Sequence, residues 1–151
     1  MTFSELFETY YTLYRSESDA PGTSDDEWAI AVRLANEAIS RWENYDNTFW
    51  QQLYATASIT TVSGQSTYTC PSDMRSVGGF VKHGMVTIPI KNLEDVQFLS
   101  PDSNFAYFTG DPTNGYTLNL SRSPENDGET LTFMYYKKAT KVVDGDSTPG
   151  S

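Results

Sequence analysis

One cysteine, Cys70, and one histidine, His83, are all that this chain of 151 residues holds of two residue types on which much protein chemistry rests. A lone cysteine excludes an intrachain disulfide framework, and no group of cysteines is spaced to hold zinc. A Cys–His nucleophile needs an activating base and an orienting third group. Cys70 and His83 lie on separate expected strands, so a packed small hydrophobe and a turn-edge histidine are the better readings. A small hydrolase using both would require their side chains within hydrogen-bond reach. No apolar run approaches the ~18 residues that mark a membrane span, and no charged-then-apolar leader opens the chain. Neither a membrane partner nor export through a cleaved leader is expected. Bases are also scarce, at 10 Lys and Arg against 20 Asp and Glu, a net charge of −10. Residues 1–62 carry ten of the acids and only three bases, Arg15, Arg33 and Arg41. Such a surface repels phosphate, which argues against a basic patch that reads DNA and is otherwise simply solubilising.

Aromatics are plentiful, with ten Tyr, eight Phe and three Trp. Phe3, Leu6, Phe7, Tyr10, Leu13 and Tyr14 recur at three- and four-residue steps, which predicts an amphipathic helix over 2–15. A loop rich in Ser, Asp, Pro and Gly follows over 16–23. Ser24 with Glu27 three residues on reads as a capping box. Beyond it, Trp28, Val32, Ala35, Ile39, Trp42, Phe49 and Leu53 form one wide stripe over 24–54, backed by Ala31, Ala38 and Tyr45. The opposite face carries Arg33, Asn36, Glu37, Ser40, Arg41 and Asn44. An unbroken helix here would run roughly 45 Å, with Asp46-Asn47-Thr48 as the place to break or kink it. Aromatics at helical spacing are usually core, which suits Trp28, Trp42, Phe49 and Trp50. Phe3, Phe7, Tyr10, Tyr11 and Tyr14 present more surface than one partner helix covers. Together with Trp28, Trp42 and Trp50 they are the candidate subunit or partner contacts.

From residue 55 the composition turns to Thr, Ser, Ile and Val, which suit pleated strands. Strands are expected near 57–62 and 66–70, joined as a hairpin at Ser63-Gly64, and over 75–82, 85–90, 105–109, 116–120 and 130–137. Asn92 to Leu99 reads as one short helix, capped by Asn92 and stopped by Pro101. Tyr116, Leu118 and Leu120 share a face, as do Leu131, Phe133 and Tyr135, so one side of the sheet is core. Gly78-Gly79 inside a strand marks a bulge or a close backbone approach, and lacks the rest of a phosphate loop. Asp144-Gly145-Asp146 lacks the glutamate that would complete a calcium loop. Asn119-Leu120-Ser121 fits a glycosylation triplet that means nothing outside a secretory context. No catalytic, metal or cofactor site is assigned. The expectation is an α+β domain over 1–151: a helical hairpin with a long second helix over 1–55, an antiparallel meander or sandwich over 56–141, and a tail or linker over 142–151.

The order of these signals resembles the adaptor, or head-to-tail connector, family of tailed bacteriophages, of the tail tubular protein A-like kind. The resemblance spans about 25–138. Its marks are Asn47-Thr48-Phe49-Trp50-Gln51-Gln52-Leu53-Tyr54 at the helix end, then Tyr68-Thr69-Cys70-Pro71-Ser72-Asp73, similar to a Tyr-x-Leu-Pro-x-Asp pattern. Gly110-Asp111-Pro112, Tyr116 to Leu120 with Ser123-Pro124, and Leu131 to Lys138 follow. Cys70 stands where the family has leucine. The resemblance implies a non-enzymatic virion protein at the head–tail neck, assembled in the host cytoplasm. It would form a homo-oligomeric ring, typically twelve-fold, that binds a portal protein and a tail or nozzle protein. It further implies a portal-docking helical segment, for which residues up to 151 offer no sequence, and a bore through which genome DNA passes without sequence-specific binding. Asp25, Asp26, Glu27, Glu37 and Glu43 are then candidates to face that bore, where acids would let DNA slide without sticking. The rival reading is a β-rich carbohydrate-binding module of a phage tail or surface protein, which exposed Tyr and Trp clustered on one sheet face would favour.

Overall fold

The computed structural model describes residues 2–15, 20–100 and 102–143, with the side chains of Tyr14 and Asn47 excepted. Pro101, the Asp144-Gly145-Asp146 motif and the rest of the expected tail lie outside the described residues. The chain divides into two compact units, Met1–Gln52 with Ala139–Ser151, and Leu53–Lys138. Helices precede antiparallel sheets, which makes the fold α+β.

In the helical unit, α1 (Phe3–Tyr10) continues as one π-helical turn, Tyr11–Arg15, and α2 runs Asp26–Glu43. A capping box starts α1: Glu5 N–H donates to Thr2 Oγ1, and Thr2 N–H donates to Glu5 Oε2 at 2.7 Å. The expected box at Ser24 does not form. Asp25 is the N-cap of α2, and its carboxylate instead accepts Gly22 N–H at 2.7 Å, while Glu27 accepts the Tyr11 hydroxyl. The loop's own turn takes the capping carboxylate, so α2 begins later than the Ser-x-x-Glu signal suggests. The second helix is also shorter than expected: 18 residues, about 27 Å. It stops where three turn-preferring residues follow, with Asp46 at φ 47° inside a short 3-10 turn, Tyr45–Asn47. A left-handed non-glycine residue ends the helical ladder.

Among the described residues the β unit holds seven strands in two sheets. β1 (Tyr54–Thr60), β7 (Thr130–Lys137), β3 (Met74–His83) and β4 (Val86–Pro89) form one sheet in the order β1-β7-β3-β4. β2 (Thr67–Thr69), β6 (Gly115–Leu120) and β5 (Ala106–Asp111) form the other, in the order β2-β6-β5. A short α3, Leu93–Val96, has Asn92 at its N-cap, as expected, without a side-chain capping bond. The expected hairpin between the first two strands is not a pair. The turn at Ser63-Gly64 exists, but β1 pairs with β7 and β2 with β6, so the turn carries the chain from one sheet to the other. The two sheets share one core, in which Ala57, Met74, Val81, Ile88, Leu131, Phe133 and Tyr135 meet Tyr68, Ala106, Leu118 and Leu120. This is face-to-face packing of two sheets by their alternating inward residues. The bulge expected at Gly78-Gly79 is present, as β3 shifts register against β7 between Val77 and Val81. A Cβ on Gly78 would lie 2.6 Å from Met134 O, so only glycine fits there.

Candidate interaction surfaces

The helical unit builds its core from aromatics on both helices. Phe3 and Phe7 meet the Trp28 indole edge-on at 5.3 and 5.2 Å, and Phe7 meets Tyr11 at 4.9 Å. All four are buried. Contacts within the hairpin therefore account for four of the expected interface aromatics. Trp42 and Trp50 are half-buried and stacked at 5.1 Å, and Trp50 Nε1 donates to Trp42 O at 2.8 Å. That bond folds the chain beyond the helix break back onto the helix end. Tyr10 is half exposed, and the Tyr14 side chain lies outside the described residues.

The polar face of α2 is not all solvated. Asn36 makes a pair of bonds to the backbone of Val142, donating from Nδ2 to the carbonyl at 2.9 Å and accepting the N–H at 2.7 Å. Lys141 Nζ bonds Ser40 Oγ, and Glu43 Oε1 accepts Ala139 N–H at 3.2 Å. Val142, where the tail was expected to begin, is buried. Among the candidate bore-facing acids, Glu43 is buried under this returning segment, whereas Asp25, Asp26, Glu27 and Glu37 are exposed. Glu37 pairs with Arg41 at 2.6 Å, the i,i+4 ion pair that the spacing favours.

Helical periodicity does not foresee all of the apolar surface left open: on α2 that surface lies off the main stripe, and on the first helix it includes residues of the stripe itself. Ile30 and Leu34 stand one turn apart on the exposed side of α2, at 49% and 55% exposure, and Leu6 and Leu13 on the first helix at 49% and 68%. The signal is in the sequence: in α2, Ile and Leu sit among residues of a polar face. The β unit exposes a second group at the turn between β3 and β4, with Met85 fully exposed and Val86 beside it.

His83 Nε2 lies 2.5 Å from Glu129 Oε2, in a cleft also lined by Ile88, Leu120, Arg122 and Pro124. Cys70 is buried, and burial pushes its thiol up to about 11 in spite of a hydrogen bond from the Leu118 backbone. Such a thiol is the opposite of an activated nucleophile. His83 and Cys70 thus each have a partner of their own. Among the described residues no cluster of His, Cys, Asp or Glu is arranged to hold a metal ion, and no helix is long and apolar enough to cross a membrane.

Compared with known families, the chain matches the model described as SU10 adaptor protein over residues 1–150. No curated protein matches it.

Proposed function

Because the chain belongs to the SU10 adaptor protein family and is therefore a structural adaptor of a phage virion, we propose that it works as a ring subunit joining portal to tail. The observation that carries this reading is the unsealed helical hairpin. Its aromatic core is closed, yet Leu6, Leu13, Ile30 and Leu34 remain outside that core. Two short helices cannot bury stripes on both their inner and outer sides, so the outer stripes await other chains. Neighbouring copies and a portal protein are the partners that fit. In the ring, Asp25, Asp26, Glu27 and Glu37 would line the path of the DNA, which passes without sequence-specific contact. Catalysis has no part in this role, in keeping with an adaptor family.

Light scattering tests it. The purified protein mixed with its full-length portal should give a ring-sized complex, and Leu34→Glu should abolish that complex while leaving the lone protein folded. A wild-type chain that stays apart from the full-length portal sinks the reading.

The carbohydrate-binding rival has one observation in its favour. Tyr54 and Tyr136 lie 5.1 Å apart on the outer side of the β1–β7 pair. A sugar platform needs more exposed rings than that, and Tyr68, Phe105, Phe133 and Tyr135 are buried.

A further inference from the structure

Every sheet in this fold has edges, and they are protected unequally. β4 is a four-residue strand that ends in Pro89, which has no N–H to offer. β2 has three residues. On β5, the Ala106 carbonyl is already taken by Lys91 N–H at 2.8 Å. β1 differs: its seven residues, Tyr-Ala-Thr-Ala-Ser-Ile-Thr, contain no charge and no proline, and its pairing with β7 runs without a bulge. In a chain of net charge −10 this is a neutral stretch with none of the usual devices that blunt an edge.

The direction of the unused backbone groups follows from the ladder. Thr61 N–H donates to Glu129 O at 2.8 Å, so at this position the backbone faces β7. Antiparallel pairing alternates, which turns Ile59, Ala57 and Ala55 toward β7 and leaves the N–H and C=O of Tyr54, Thr56, Ser58 and Thr60 pointing away. Among the described residues none of those outward groups has a backbone partner.

We propose that β1 is a self-pairing edge, through which two copies of this chain associate as an antiparallel dimer with a two-fold axis at Ala57. With the axis there, Thr56 faces Ser58 of the second copy and Tyr54 faces its Thr60, so every outward group finds a mate. The sequence of the edge decides the occupant. Another acidic copy is repelled wherever acids meet acids, and β1 offers a border without them. The β4 edge of a neighbour cannot substitute, because Pro89 removes a donor. A junction of two seven-residue strands buries less than the ~1,200 Å² of a standard stable interface, so the dimer is weak and concentration-dependent. A two-fold pair closes on itself and cannot propagate around a ring. It is therefore a form of the free protein, separate from the portal-bound ring proposed above, and does not rest on that reading.

The test uses the whole chain alone. Its mass by light scattering across concentration should rise from one subunit to a plateau at two. Over the same range, amide exchange at Tyr54, Thr56, Ser58 and Thr60 should slow by about tenfold or more. Ser58→Lys places like charges beside the axis and should hold the protein at the monomer mass. Thr132→Lys, on the same sheet face but on β7 inside the sheet, should leave the dimer intact. The proposal is overturned by a wild-type monomer at every concentration, by growth past two subunits, by a dimer that survives Ser58→Lys, or by a dimer lost equally in Thr132→Lys.

Discussion

Val81, Leu118 and Leu131 of the β unit have no exposed surface at all, whereas in the helical unit Leu13 and Leu34 stand more than half in solvent. The β unit encloses its apolar residues between two sheets, with β7 paired on both sides. The helical unit encloses an aromatic cluster and leaves the outer sides of both helices open. The loops repeat the contrast. Residues 61–64 and 124–129 of the β unit are knitted by bonds from Thr61, Ser63 and Gly64, while the described part of the loop before α2 is tied by Asp25 to Gly22, through its carboxylate and its backbone N–H. The β unit encloses its apolar side chains within itself, and the helical unit leaves apolar side chains open, the surface that the proposed ring would cover.

All three tryptophans, Trp28, Trp42 and Trp50, fall in the helical unit, so the two units can be watched separately. In urea, tryptophan fluorescence should change at lower concentration than the far-UV signal of the strands. Phe133→Ala should produce the largest effect of any single substitution. The side chain is 1% exposed at the centre of the shared core, and its loss should cost about 3–5 kcal/mol in the strand transition. Leu34→Ala, on an open stripe, should shift neither transition by more than about 0.5 kcal/mol. Coincident transitions, or equal costs for the two substitutions, would erase the distinction between the units.

A smaller effect is expected at Thr61, buried at 1% between the two sheets' connecting loops. Its hydroxyl donates to Asn126 O at 2.9 Å and accepts Glu129 N–H at 3.0 Å. Thr61→Val keeps the shape and removes both bonds, stranding the two backbone groups, at about 1–3 kcal/mol in the strand transition. Tryptophan fluorescence should not register it.

Much of this fold is legible because its signals are local. Alternation of Leu131, Phe133 and Tyr135 places β7 with the right ends, and Gly78-Gly79 marks the bulge. What escapes depends on distant partners. The Ser63-Gly64 turn reads like a hairpin, but which strand β1 pairs with is decided by the core face it shares with β7, some seventy residues later. Glu43 reads as one more surface acid until Ala139 N–H arrives to occupy it. Two capping signals of the same chemistry, Thr2-x-x-Glu5 and Ser24-x-x-Glu27, have opposite fates. The first, next to the chain start, forms; the second fails because Tyr11 and Gly22 compete for its neighbourhood. Among the surface candidates, Phe3, Phe7, Tyr11 and Trp28 pack inward, in the core of the helical unit, while Tyr10 stays half exposed. The open apolar positions of α2 are Ile30 and Leu34, which its periodicity leaves off the main stripe.

Cys70 offers a kinetic rather than an energetic comparison. With its thiol pushed up to about 11 by burial, the thiolate fraction at pH 8 is roughly a thousandth, against about a tenth at the ordinary value of 9.0. Labelling of the native protein by a thiol reagent should therefore run at least about a hundredfold slower than that of the urea-unfolded chain. It should accelerate only when the strand transition is reached, well after tryptophan fluorescence has changed. Labelling that tracks the tryptophan signal would mean that the β core opens with the helices.

The smallest effect belongs to the turn between β5 and β6, where Asp111 carries the hairpin. Its carboxylate lies fully in solvent and accepts the Asn114 side chain at 2.8 Å, Asn114 N–H at 2.9 Å and Thr113 N–H at 2.7 Å. The Asn114 side chain first, then the two backbone donors, hold the carboxyl below its ordinary value of 3.8. A depressed pKa in the folded state means that the ionised group adds stability in full above the unfolded value, and loses it as pH falls through the folded one. Asp111→Ala should thus lower the strand transition slightly at pH 7, and the gap from the wild type should close below about pH 4. Asp25→Ala, which removes a single carboxylate bond in the other unit, should move the tryptophan transition instead. If Asp111→Ala costs the same at pH 3 as at pH 7, the turn is held by backbone geometry, with Gly110 and Gly115 at positive φ, and the carboxylate bonds add nothing.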